Sequence, residues 1–164
     1  LPVAGPLLFI VEDLGLLADA VVGDRLLHGQ HRCLQRRRLV VDGDRAYFGT
    51  FNNEVLAFDI KADGTVSNRR NFAKYPTVNK TPAGAFNSGA DGLALDNAGR
   101  LYVVSLGGVH VFSPKGDLLG TIPLSLQGQN IAFAGPDKKT LFIVGRGSAF
   151  KVRLLAEGFK GRAK

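Results

Sequence analysis

The feature that most limits what this chain can become is a threefold internal repeat. The segments RLVVDGDRAYFGTFNNEVLAFDI (38–60), GLALDNAGRLYVVSLGGVHVFSP (92–114) and NIAFAGPDKKTLFIVGRGSAFKVRLL (130–155) align with one another. Each reads as short apolar runs separated by tight turns of Gly, Asp, Asn or Pro, the pattern of strands joined by hairpins rather than of helices. The apolar-aromatic cores AYFG (46–49), LYVV (101–104) and LFIV (141–144) fall at matching places in the three units. The step from Gly92 to Asn130 is near the period of about 40–45 residues expected of a four-stranded propeller blade. Weaker fourth strands are expected in VSNRRNFA (66–73) and LLGTIPL (118–124). The longer step between the first two units holds KYPTVNKTPAGAFNSG (74–89), whose Pro, Gly, Asn and Thr content predicts a loop projecting from one end of the blades.

These signals predict an all-β fold of β-propeller blades. A closed ring takes about four to eight blades, and at this period the chain supplies about four. Residues 38–164 are therefore expected to be part of a propeller, with residues 1–37 unassigned. Open sheet edges in such a part invite self-association. The composition, 45% hydrophobic and 21% charged, suits one packed domain. Cys33 is alone, which excludes a disulfide framework and a cysteine metal site. The opening apolar run 1–11 ends at Glu12 and Asp13, too short to span a membrane and without the basic flank of a signal peptide. No membrane partner is expected, and the compartment stays undecided. The sequence contains no Met, so Leu1 is read as following something removed or missing. The net charge is +7, and the basic excess concentrates in RRR (36–38), NRRN (68–71) and the tail KGRAK (160–164), in separate loops and a terminus. A nucleic-acid binder would gather such charges on one face with stacking aromatics, so nucleic acid is not expected.

Candidate chemistry centres on SGADGLALDNAGRLYVVS (88–105), where Asp91-Gly92 precedes one apolar strand and DNAG (96–99) precedes another. Asp in such a pair is either a turn residue, bonding its own backbone, or a carboxylate presented for chemistry. Asp96 and Asn97 are assigned to the hairpin turn. Asn87 and Ser88 are read as ordinary loop polarity that could also line a site beside Asp91. His28 and His31 have a spacing that could seat a metal on a helix, yet lack a third ligand. His110 alternates onto one face of a strand, where a structural role is expected. Ser105 and Ser148 lack a Gly-x-Ser-x-Gly elbow, which argues against a serine hydrolase. GRGSAF (145–150) leads into a strand rather than a helix and is not read as a phosphate loop.

Three strings resemble the SMP-30/gluconolactonase/LRE family in that family's own order: VLAFDIKADGTVSNRRNFAKY (55–75), GADGLALDNAGRLYVVSLGGVHVFSPKGDLLGTIPL (89–124) and IAFAGPDKKTLFIVGRGSAFKV (131–152). The ending FKVRLLAEGFKGRAK is also similar to family carboxy-termini. The resemblance implies a partial six-bladed propeller and hydrolysis of a small-molecule lactone with a bound divalent metal, calcium foremost, with zinc or magnesium as alternatives. It makes Asp91 both a metal ligand and the proton-transfer group, with Ala90 in place of the usual Pro. The family's amino-terminal Glu ligand has no clear counterpart, because Glu12 lacks the motif that should follow it. The family's mid-chain Asn falls on Arg37, whose fixed positive charge cannot coordinate a cation. The resemblance thus implies either a lactonase weakened by the loss of two of three ligands or a non-catalytic propeller module presenting its loops to a partner.

Overall fold

The structure, a computed structural model, describes residues 11–13, 39–42, 45–49, 52–63 and 65–160; at 11–13, 39–42 and 48 it describes the backbone alone. Among these residues there is no helix. The strands are β1 (Val11–Asp13), β2 (Leu39–Asp42), β3 (Arg45–Gly49), β4 (Glu54–Ile60), β5 (Val66–Lys74), β6 (Asn79–Lys80), β7 (Phe86–Asn87), β8 (Leu93–Leu95), β9 (Leu101–Ser105), β10 (Gly108–Phe112), β11 (Leu118–Ile122), β12 (Asn130–Ala134), β13 (Thr140–Gly145) and β14 (Ser148–Arg153). They form three four-stranded antiparallel sheets, β2-β3-β4-β5, β8-β9-β10-β11 and β12-β13-β14-β1, and one small hairpin, β6-β7.

Each repeat supplies three of the strands the sequence predicts, and 66–74 and 118–122 are the expected fourth strands of the first two sheets. The inserted loop carries the β6-β7 hairpin. The third sheet takes its outer strand from far away: β1 pairs antiparallel with β14, Val11 facing Val152 and Asp13 facing Phe150. This strand comes from the stretch where the repeat pattern is lost.

The first strand of each sheet is the inner one, and β8 lies beside both β2 and β12. Period-2 alternation along β9 decides which neighbour each side chain meets. Leu101 and Val103 join Tyr47, Val55, Tyr75 and Phe112 between the first and second sheets. Tyr102 and Val104 join Ile131, Leu141, Ile143, Phe150 and Val152 between the second and third. Every residue of β8 and β9 is buried, as expected of strands packed on both faces.

The chain beyond β14 ties two sheets together at the end of β8 away from Asp91. Asn97 N–H donates to Glu157 O at 2.7 Å, Phe159 N–H to Leu95 O at 3.0 Å, and Gly158 N–H to Lys138 O at 2.8 Å. Gly158 allows this crossing, since a Cβ there would lie 2.2 Å from that of Phe133.

Candidate functional site

The two turns of 88–105 divide their work. Asp96 is buried, and its Oδ1 accepts from the Ala98 and Arg100 N–H groups, both at 2.9 Å. Its Oδ2 accepts from Arg100 Nε at 2.5 Å and from the Tyr102 hydroxyl at 3.1 Å. Burial and the nearby Asp96 charge push the Tyr102 phenol well above its ordinary pKa of 10.0. DNAG is therefore a turn, with Gly99 at φ 73°. Asn97 spends its side chain on the crossing segment, donating to Glu157 Oε2 and accepting from Lys160 N–H, both at 3.3 Å.

Asp91 is placed differently. Its N–H donates to Val104 O at 3.0 Å, while Val104 N–H donates to Gly92 O at 2.9 Å, so two consecutive residues face one on β9. That is the hydrogen-bond pattern of a β-bulge, which re-aims side chains at sheet ends. The bulge releases Gly92 N–H from its own sheet, and it donates to Gln129 O of the third sheet at 2.8 Å. Only glycine fits at 92: a Cβ there would lie 2.6 Å from Asn130 Cα and 2.8 Å from Asn130 Oδ1. The turn bonds of the preceding loop come from its neighbours, Asn87 Oδ1 accepting from Gly89 N–H at 2.9 Å and Ser88 Oγ from Ala90 N–H at 3.2 Å. Asp91 is half-buried, beside the seam between the second and third sheets.

Gln129 links this bulge to the β13-β14 turn. Its side-chain Oε1 accepts from Arg146 N–H at 3.3 Å. Arg146 and Gly147 form a two-residue hairpin with φ 53° and 77°. Both positions of such a turn require positive φ, where Asn-Gly is favoured and other residues carry a strain of about 1–3 kcal/mol. The sequence signal was the Arg-Gly pair between two apolar runs, an unusual occupant of such a turn. At the same end lie Lys74, paired across strands with Glu54, and Lys80, whose Nζ sits 5.6 Å from the Phe86 ring centroid.

His110 is buried, with Nε2 bonded to Leu106 O at 3.0 Å and Nδ1 to Thr121 Oγ1 at 2.8 Å. It is structural, as its strand position suggested. Ser105 Oγ is buried and finds no hydrogen-bond partner among the described residues, and Ser148 opens β14 half-buried. Glu12 lies on β1, opposite Lys151 and three strands out from β12, about 14 Å at ordinary strand spacing. His28, His31, Arg37 and the first arginine cluster lie outside the described residues, as does 161–164.

Among the described residues, no three or more His, Cys, Asp or Glu side chains are grouped to hold a metal ion. A calcium ion takes about 6–8 oxygen ligands, backbone carbonyls and waters among them, so Asp91 would be one carboxylate of such a set rather than the whole of it. No described helix is long and apolar enough to cross a membrane.

Sheets placed side by side by their inner strands, with a carboxylate at the head of one such strand, define this class of protein as a β-propeller. The family follows from comparison: residues 39–146 match the model of the SMP-30/gluconolactonase/LRE-like region, and the chain belongs to that family. Among solved structures, a gluconolactonase from Xanthomonas campestris is 31% identical, with a TM-score of 0.55 over 68% of this chain and 34% of that one. A putative gluconolactonase is 21% identical, with a TM-score of 0.59 over 71% of this chain and 37% of its own. Regucalcin from Agrobacterium tumefaciens, described as a calcium-binding protein, is 20% identical, with a TM-score of 0.56 over 75% of this chain and 45% of its own. The chain thus spans less than half the length of each of these relatives.

Proposed function

We propose that this chain carries the acid/base half of a lactone-hydrolysing site, with Asp91 as the proton-transfer group. The observation that carries the reading is the bulge: it sets a half-buried carboxylate at the head of an inner strand, beside the seam with the third sheet. Membership of the gluconolactonase-like family supplies the substrate class, a small-molecule lactone.

In the proposed step the Asp91 carboxylate takes a proton from water as the water oxygen bonds to the lactone carbonyl carbon. The ring C–O bond then breaks, and the proton passes to the departing ring oxygen, leaving a hydroxy acid. Positioned acid/base groups of this kind contribute about 10²–10⁴-fold. Asp91→Asn should lower gluconolactone turnover by about that factor with an unchanged melting temperature. Equal turnover in both proteins would remove Asp91 from the chemistry.

A divalent cation, calcium foremost, belongs to the same reading, and Asp91 is the ligand the described residues offer it. Calcium should then raise the melting temperature of the wild-type chain more than that of Asp91→Asn. A calcium response absent from both proteins would remove the metal. Arg37, standing where the resemblance expects a ligating Asn, favours a second reading, a propeller module that binds a partner through its loops. Its signature would be no turnover of any lactone by the wild-type chain.

A further inference from the structure

The described arginines divide by what they touch. Arg70 pairs with Asp59, Arg100 with Asp96 and Arg153 with Asp137, each a carboxylate of its own repeat, and Arg45 stands opposite Asp59 across β3 and β4 at the far end of the first sheet. Arg146 is exposed and has no ion pair among the described residues. Arg69 is also exposed, but it sits on β5, the outer strand of the first sheet. Arg146 instead sits at the Asp91 end, on a left-handed backbone that an asparagine would adopt more easily. The turn is also anchored: Gln129 accepts the Arg146 N–H through its side chain and the Gly92 N–H through its main chain, so one residue fixes both. A planar guanidinium on a short rigid turn is well suited to bidentate pairing with a carboxylate or phosphate. Asp91 itself repels anions, so such a group must sit away from the reacting ester.

We infer that Arg146 is the anion-binding residue of the Asp91 site, and that the substrate is a lactone bearing a carboxylate or phosphate remote from the ring ester. This deepens the lactonase reading and rests on it. Gln129 is the positioning residue.

The test compares kcat/KM for phosphogluconolactone and for glucarolactone, each divided by that for gluconolactone, in the wild-type chain and in Arg146→Asn. Loss of one charge-assisted pair should lower the ratio about tenfold for the anion the site accepts. A fall for the phosphate alone, or for the carboxylate alone, identifies the group. Arg146→Asn should melt no lower than wild type, because the turn is relaxed, so a lowered ratio is not a folding defect. Arg146→Lys, which keeps the charge but not the fork, should recover part of the ratio. Ratios unchanged in Arg146→Asn overturn the inference while leaving the lactonase reading intact. Calorimetric binding of phosphogluconate and glucarate separates the two failures: binding weakened by Arg146→Asn without turnover of any lactone upholds the anion site and sinks the lactonase.

Discussion

Asp91 and Asp96 are five residues apart in one short stretch, and their surroundings give them opposite duties. Asp96 is closed in by two backbone N–H groups, a guanidinium and a phenol, so its loss strands several donors at once. Asp96→Ala should lower unfolding free energy by about 3 kcal/mol in urea titrations. Asn87→Ala, at an exposed loop position, should cost less than about 1 kcal/mol. A second residue-scale expectation concerns pH. Burial lowers the His110 pKa below its ordinary 6.5. The unfolded chain therefore takes up this proton first, so stability is complete above about pH 6.5 and falls as the pH drops toward the folded pKa. His110→Gln should lose that component, and urea midpoints between pH 7 and 5 should fall less steeply than in wild type. Asp96 was legible as a turn residue because its partners are its own neighbours. The surroundings of Asp91 were not, because the bulge depends on Gln129, which arrives from another repeat.

The strands themselves were readable from local alternation and turn composition, the weak fourth strands of the first two sheets included. The sequence could not show that β1 completes the third sheet, since a three-residue strand has no periodicity to detect and its partner is remote. Nor could it show Gly92 as a contact between sheets, because Asp-Gly looks the same in any turn. Gly92→Ala should separate β8 from β12, lowering stability by about 1–3 kcal/mol and reducing any Asp91-dependent turnover in the same protein. Glu12→Pro removes an N–H from β1, and hydrogen exchange at Phe150–Val152 should quicken relative to β9. Unchanged exchange there would mean that β1 does not protect the edge of β14.

At the scale of the whole molecule, the second sheet is shared: its two faces belong to the two apolar clusters, so neither cluster exists without it. Phe112, fully buried and set edge-on to Tyr75 and His110, is a sensitive point in it. Phe112→Ala should cost about 3–5 kcal/mol and shift a single unfolding transition, seen alike by far-ultraviolet circular dichroism and tyrosine absorbance. Two separated transitions would mean that the sheets unfold independently. The pairing of β1 with β14 also sets an order of events during synthesis. Of the described strands, β1 leaves the ribosome before all others and its only strand partner leaves after them. Neighbouring hairpins can form as they emerge, but this ladder must close the long loop between Asp13 and Ser148, and such long-range pairings form slowly. The third sheet is therefore finished last, and until then the edge of β14 is open to any other strand nearby.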